Sequence, residues 1–342
     1  MAEQNENLAR QALKDVMAGK DLGRDVTERL FGELMDGKLS EIMKSALLAS
    51  LATKGETAPE IAGAATAMRG RVRAIPHDVS DVVDTCGTGG DGKGTFNIST
   101  AAALVAAALG APVAKHGNRS VSSRSGSADV LAALGVRIDL EPEEAAQALK
   151  EIGIAFLFAP NLHPAMKEVM PVRREMGVRT IFNCLGPLTN PAGARRQVMG
   201  VFSSHLVETL GHVQAELGAE HALVVHGSDG LDEITTTGPT LVAEARGGEV
   251  TTYEVTPESL GVAEAKEDDL LGGEPEENAE LMAKVLSGEG GPLADITAVN
   301  AGAALYVAGK ADDLKSGTAA ALAALADGSV ARKLEELKAF GR

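Results

Sequence analysis

From residue 79 onward, short β-branched runs alternate with Ala- and Leu-rich stretches of helical spacing, and this alternation restricts the fold more than any other feature. The runs fall at residues 79–83, 111–114, 136–140, 154–159, 198–202 and 222–225. Between them lie helical stretches such as residues 100–109, stopped by Gly110, and 127–134, stopped by Gly135. Glycine after the last periodic residue ends a helix because it adopts the left-handed conformation freely. Strands separated by helices need crossover connections, so the pattern predicts a mostly parallel sheet covered by helices on both faces.

The first seventy or so residues read differently. Apolar residues recur at helical spacing at Leu22, Val26, Leu30, Phe31 and Leu34, and again at Ile42, Met43, Ala46, Leu47 and Leu51. Ser40 can cap the second segment. In "TAPE", Thr57 and Glu60 form a capping box with Pro59 in the first turn, opening a helix that runs to about Arg69 and stops at Gly70. The acidic, Gly-rich "KEDDLLGGEPEENAE" reads as an exposed connection, and residues 275–342 return to helices. No repeat of fixed period occurs.

Composition removes several function classes. The net charge of -16 lacks the clustered cations of a nucleic-acid surface. Absence of Trp and 3% aromatics argue against stacking on several bases or sugars. No apolar run reaches the roughly 18 to 20 residues of a membrane span, and "MAEQNENLAR" has no apolar signal core, so the expectation is a soluble, cytoplasmic protein without membrane or nucleic-acid partners. Cys86 and Cys184 have no companions at metal spacing and read as reduced, structural thiols.

"DTCGTGGDGKGTFNIST" follows a strand and precedes a helix, where free amides favour an anion. It matches the dinucleotide pattern at Gly87, Gly89 and Gly92, but Lys115 and His116 stand about 20 residues on, where an acid should hold a ribose. It also matches a nucleotide P-loop up to Gly94, which replaces the metal-binding Ser or Thr. Nicotinamide cofactor binding and nucleotide hydrolysis are both disfavoured. Asn97, Ser99 and Thr100 at the helix start strengthen the anion reading.

A second dense set of donors follows in "KHGNRSVSSRSGSADVL", from Lys115 to a helix opened by Gly126 or Ser127. So many donors together call for an anion. In "VVHGSDGLDEITTTG", Asp229, Asp232 and Glu233 are hard oxygen ligands that suit magnesium (Mg2+) shared with substrate phosphates. Two anion pockets and an acidic loop describe a ligand with phosphates at two ends, one carrying metal.

With these motifs, "PVRREMGVRTIFNCLGPLTNPA" and "HGSDGLDEI", the chain closely resembles the anthranilate phosphoribosyltransferase family of tryptophan biosynthesis, over nearly its whole length. The resemblance implies a nucleoside-phosphorylase-like transferase fold: a small all-helical domain, residues 1–75 with helices near 165–190 joining it, beside a large α/β domain formed by residues 76–164 and 191–342. It implies that Gly87, Gly90, Asp91, Thr95, Asn97, Ile98, Ser99 and Thr100 hold the pyrophosphate and ribose of phosphoribosyl pyrophosphate. Lys115, His116, Gly117, Asn118, Arg119, Ser120, Val121, Ser122, Ser123 and Ser127 would line the rest of that site. Ser99, Asp232 and Glu233 would take magnesium. His116, Asn118 and Arg173 would act at the aromatic acid, Arg173 on its carboxylate. Family members are usually homodimers contacting through the helical domain. The alternatives are a pyrimidine nucleoside phosphorylase of the same fold, a non-catalytic nucleic-acid-binding relative, and a transferase for another aromatic acceptor.

Overall fold

Capping chemistry sets the N-terminal helices. The computed structural model describes residues 2–120 and 124–341, with side chains from residue 7 onward. It opens with α1 (Ala2–Met17), α2 (Arg24–Met35), α3 (Glu41–Lys54) and α4 (Ala58–Arg69). The Ser40 hydroxyl accepts from the Met43 amide at 3.3 Å, satisfying a free N–H at the start of α3. At α4 the Glu60 carboxylate accepts from the Thr57 amide at 2.9 Å, with Pro59 in the first turn. Glu60 is fully buried, and it also receives Lys54 Nζ at 2.9 Å and the Leu22 amide at 3.0 Å. These donors compensate a charge that would be costly alone. Ile42 is 84% exposed, against its expected place in the apolar stripe. Leu47 and Leu51 define the buried face, and a residue five positions before Leu47 lies about 140° around the helix.

Among the described residues, seven strands form one sheet in the order β3-β2-β1-β4-β5-β6-β7. They are β1 (Val83–Asp84), β2 (Val113–Gly117), β3 (Ile154–Phe158), β4 (Arg196–Gly200), β5 (His221–Gly227), β6 (Thr240–Arg246) and β7 (Glu249–Val255). β1 to β5 pair in parallel, and β6 and β7 add antiparallel at one edge. The expected run at 79–83 contributes only Val83 to the sheet. Residues 136–140 form no strand, because the Val136 amide turns back to the Leu131 carbonyl at 2.9 Å and closes the preceding helix. The hairpin of β6 and β7 is missing from the expected runs. β7 is exposed along most of its length, so its residues are too polar to read as a buried run.

The remaining helices are α5 (Ile98–Ala108), α6 (Ser127–Ala133), α7 (Pro142–Ile152), α8 (Ala159–Leu162), α9 (Met170–Met176), α10 (Phe182–Leu185), α11 (His205–Glu216), α12 (Pro257–Leu260), α13 (Pro275–Leu286), α14 (Pro292–Val307), α15 (Leu314–Ala326) and α16 (Ser329–Ala339). Strand alternation divides the core. Leu223 and Val225 point with Val113, Ile154 and Phe156 toward α5 and α13 to α16. Val224, Met199 and Ala243 face the other way, into a cluster with Leu210 and Val213 of α11 and with Leu30, Phe31, Leu47 and Ile61 of the N-terminal helices. One sheet face and the helical part thus share a continuous core.

Candidate active site

Strands β1, β2, β4 and β5 run in the same direction and deliver their following loops to one edge of the sheet. The chain leaves β1 toward β2 and later returns on its other side as β4, which opens a crevice at the carboxyl end of β1. The glycine loop fills this crevice. Gly89, Gly90, Gly92 and Gly94 have φ between 65° and 80°, a region that a side chain would strain, so the loop turns sharply with its backbone bare. The Thr88 amide donates to the Gly200 carbonyl at 2.8 Å, and the Gly89 amide donates to Asp232 Oδ2 at 2.7 Å. Asp91 Oδ1 accepts from the Lys93 amide at 3.1 Å, and Thr95 forms an antiparallel bridge with Leu271.

The acidic stretch containing Leu271 is therefore a clamp on the loop rather than a free connection. Phe96 N–H donates to the Leu270 carbonyl at 3.1 Å, Gly272 N–H donates to the Gly94 carbonyl at 3.0 Å, and Lys93 Nζ meets Glu267 at 3.3 Å. Its charged residues face solvent while its backbone and Leu270 pack inward, a division invisible in composition.

Ser99, Asp232 and Glu233 come together at the start of α5. The Ser99 amide donates to Glu233 Oε1 at 3.2 Å. Buried Lys115 reaches the Thr85 carbonyl at 3.2 Å, Thr85 Oγ1 at 3.1 Å and Ser99 Oγ at 3.3 Å. Burial pushes the Glu233 carboxyl up to about 7 against the pull of Lys115, and burial, Glu233 and Asp91 push Asp232 well above the usual carboxylate range. Asp91, Asp232 and Glu233 are thus close enough to repel one another, and Lys115 offsets part of the charge at Glu233. Asp229 is different: Oδ2 accepts from the hydroxyls of Thr235 at 2.7 Å and Thr237 at 2.6 Å, and Oδ1 from the Leu231 amide at 3.0 Å, so it builds the turn.

In the second loop, Asp129 is the organiser. It accepts from the amides of Ser120 at 2.9 Å and Gly126 at 3.0 Å, and it pairs with Arg119 at 2.8 Å. Arg119 is therefore committed to the loop's own structure. Asn118 Oδ1 accepts from the Arg119 amide at 2.7 Å, and its carbonyl accepts from Ser127 Oγ at 3.3 Å. Gly117 is obligatory in size, because a Cβ there would meet Ser127 Oγ and the Phe156 ring. Val121, Ser122 and Ser123 lie outside the described residues.

His116 stacks beside His163, a residue that carries no motif of its own, with Nε2 to Nε2 at 3.0 Å. Two protonated rings cannot face each other this way, so the contact holds one proton. Burial, with His163 beside it, pushes His116 down to about 3, and burial pushes His163 down to about 4. Both rings are neutral at physiological pH. Asp84, Cys86 and His116 bring ligand atoms within 4.8 Å of one another. However, Asp84 already accepts from the His116 amide at 3.1 Å and from Asn190 Nδ2 at 2.8 Å, and burial pushes the Cys86 thiol up, so the trio is structural. Arg173, on α9, is half-buried with its guanidinium 5.7 Å above the Phe182 ring and Nη1 3.9 Å from Met170 Sδ. Nearby, Arg179, which belongs to the same motif as Arg173 but carries no expected role, donates from Nη2 to the Gly90 carbonyl at 2.5 Å and lies 4.1 Å over the Phe202 ring.

A helical unit joined to an α/β layer whose strand ends converge on an anion cradle defines a sugar-transferring enzyme. The model of the glycosyl transferase family's helical bundle domain matches residues 10–72, and that of its a/b domain matches residues 79–331. Within this class the likeness is narrower. The anthranilate phosphoribosyltransferase of Desulfosudis oleivorans is 52% identical over 331 residues, spanning 96% of this chain and 98% of that protein. That of Rubrobacter xylanophilus is 51% identical and spans 98% of each. The crystal structure of the Thermus thermophilus enzyme superposes with a TM-score of 0.91 at 48% identity, covering 96% of this chain and 98% of that one. The Saccharomyces cerevisiae enzyme in complex with PRPP and Mg gives 0.87 at 25% identity, covering 97% of both. The chain belongs to the anthranilate phosphoribosyltransferase family.

Proposed function

We propose that this chain transfers the phosphoribosyl group of 5-phosphoribosyl 1-pyrophosphate to the amine of anthranilate, releasing pyrophosphate, in tryptophan biosynthesis. The observation that carries the reading is the direct tie between glycine loop and acid pair, Gly89 to Asp232 at 2.7 Å and Ser99 to Glu233 at 3.2 Å. A phosphate cradle and a cation site are thereby one structure. The residues fit magnesium: Asp232, Glu233 and Ser99 offer hard oxygens, and the two carboxylates, raised chiefly by burial and secondarily by neighbouring acids, are charges that a divalent cation would compensate. When bound, it neutralises charge gathering on the departing pyrophosphate.

The chain's own residues do the rest. The backbone around Gly87, Gly90, Asp91 and Thr95, with Asn97, Ile98, Ser99 and Thr100, receives the pyrophosphate and ribose, and Lys115 to Ser120 with Ser127 line the other side. As the amine attacks C1, the bond from C1 to the pyrophosphate oxygen breaks, and fixed amides stabilise the charge on that oxygen. Arg173 receives the aromatic carboxylate, a planar fork on a planar anion, and Asn118 borders the ring. An N-ribosylated arylammonium is acidic enough to give up its proton without a strong base, and His116, its Nε2 against His163 at 3.0 Å, borders the aromatic acid's site. The proposed boundaries give residues 1–75 with the 165–190 helices to a helical part that carries Arg173, and residues 76–164 and 191–342 to an α/β part that carries the phosphoribosyl contacts.

The test is to mix protein, phosphoribosyl pyrophosphate, magnesium and anthranilate and to follow anthranilate fluorescence. It is expected to fall, and to stop falling when a chelator is added. A constant signal at every protein concentration sinks the reading, and turnover that survives full chelation favours a phosphorylase. The exposed Ile42 and Met17, 84% and 73% accessible on α3 and α1, fit a homodimer contact through the helical part; sedimentation as a monomer at micromolar concentration would rule it out. No helix of the described residues is long and apolar enough to cross a membrane, which accords with a cytoplasmic enzyme, a placement that cell fractionation checks.

A further inference from the structure

We infer that Asn278 is a positioning residue for the phosphoribosyl site, setting the orientation of the Asn97 carboxamide at the end of the glycine loop. The inference rests on the reading of Asn97 as a phosphoribosyl contact. Asn278 lies in the first turn of α13, inside the acidic stretch that reads in sequence as an exposed connection, yet it is only 1% exposed.

Its hydrogen bonds have fixed polarity. Asn278 Oδ1 accepts from the Gly273 amide at 2.7 Å, and a backbone N–H can only donate. The Asn278 Nδ2 group therefore faces Asn97 and donates to its Oδ1 at 2.8 Å. That bond fixes Asn97 in turn. Its Oδ1 looks toward α13 and also accepts from Ser125 Oγ at 3.2 Å, and its Nδ2 donates to the Ser125 carbonyl at 3.2 Å. One backbone amide thus determines which way both carboxamides point, and the second of them links the glycine loop to the donor-rich loop after β2.

A second feature shows that Asn97 is held for this purpose. It occupies the N-cap position of α5, where Asn ordinarily bonds its own helix, but its side chain makes no such bond. The Ser99 amide of that helix start is left for Glu233 instead. The same stretch that carries Asn278 clamps the loop through Leu270, Leu271 and Gly272. Asn278 adds a buried side-chain bond to the clamp at the end of the loop, beside the more exposed pair of Lys93 and Glu267.

Packing alone asks only that the volume be filled, which Asp does equally well. Positioning asks for an N–H at Nδ2. In Asn278→Asp, a carboxylate oxygen faces Asn97 Oδ1, and Asn97 is expected to rotate, breaking its bond to the Ser125 carbonyl. The KM for phosphoribosyl pyrophosphate should rise on the order of 10- to 100-fold, as when outer partners of a site are lost, while that for anthranilate stays within about threefold. Calorimetric titration with phosphoribosyl pyrophosphate and magnesium should show the same loss of affinity. On an Asn97→Ala background, Asn278→Asp should add less than about twofold, because both changes act through one group. Asn278→Ala, which introduces no charge, should show the same non-additivity with a smaller single effect.

Wild-type binding by either variant, equal effects on both substrates, full multiplication in the double variants, or failure of both single variants to fold would overturn the positioning role. Failure of the wild-type chain to consume anthranilate would count against the proposed reaction instead, while the calorimetric comparison would still test Asn278.

Discussion

Among the described residues, Arg173 forms no ion pair with a carboxylate, whereas Arg71, Arg73 and Arg119 pair with Asp36, Glu141 and Asp129, and Arg137 pairs with both Asp139 and Glu144. Burial lowers its pKa, the signature of a cation short of compensation, and the Phe182 ring supports only its face. The proposed role of Arg173 uses the edge of the guanidinium for the carboxylate of anthranilate. Truncation to Ala should remove a charge-assisted contact worth about 1.5–3 kcal/mol, raising the KM for anthranilate roughly 10- to 100-fold. The requirement for the phosphoribosyl donor should barely move, and Arg173→Lys should fall between, since an ammonium does not match the fork. Steady-state kinetics with each substrate varied decides this, and equal changes in both constants contradict the assignment. Legibility at this scale was uneven. Nothing local in sequence separates Arg173 from Arg119, whereas the structure pairs Arg119 with Asp129, and Asp229 looked as good a metal ligand as Asp232 until its hydroxyl partners appeared. His163 and Asn278 could not be found, because each matters through a neighbour far away in sequence.

At the scale of elements, one carboxylate reinforces the backbone ladder that joins the hairpin of β6 and β7 to the sheet. Glu244 on β6 accepts from His221 at 2.7 Å, Tyr253 at 2.8 Å and Tyr306 at 2.9 Å, joining β5, β7 and α14. Chiefly the His221 bond, with those of the two tyrosines, holds its carboxyl down to about 2 against an ordinary 4.5. A lowered carboxyl stabilises the fold above the unfolded value and loses that contribution as pH falls through the folded one, so the window runs from about 4.5 down to about 2. Glu244→Gln should therefore be less stable than wild type at pH 7 by on the order of 1–3 kcal/mol, and the two should converge near the acid end. Urea midpoints across this range test it, and a gap independent of pH would refute the role of the charge. Ser40 and "TAPE" could be read because caps are local signals. Residues 136–140 deceived because β-branched composition also suits a buried helix exit, and the clamp at 266–273 was hidden because its work is done by backbone.

For the whole molecule, the two-part architecture was legible as a change from helical to alternating texture, but the degree of fusion between the parts was not. Long-range packing has no sequence period. Leu210 and Val213 of α11 share a core with Leu30 and Phe31, and the Phe31 and Phe182 rings lie 5.6 Å apart. Arg69, at the end of α4, staples this junction. Its Nε donates to the Leu188 carbonyl at 2.7 Å and its Nη1 to the Leu217 carbonyl at 3.3 Å, and burial lowers its pKa. Because the cores are continuous, the wild-type chain should unfold in one transition, with circular dichroism and the hydrogen exchange of α2 and β5 reporting the same midpoint. Arg69→Ala leaves two carbonyls short of a donor at the seam, each lost bond exposing a penalty of about 1–3 kcal/mol. The midpoint should drop, and the exchange of α2 should separate from that of β5 as the helical part loosens first. A variant that keeps a single transition at the wild-type midpoint would show that apolar contact alone fuses the two parts, and that the arginine is dispensable there.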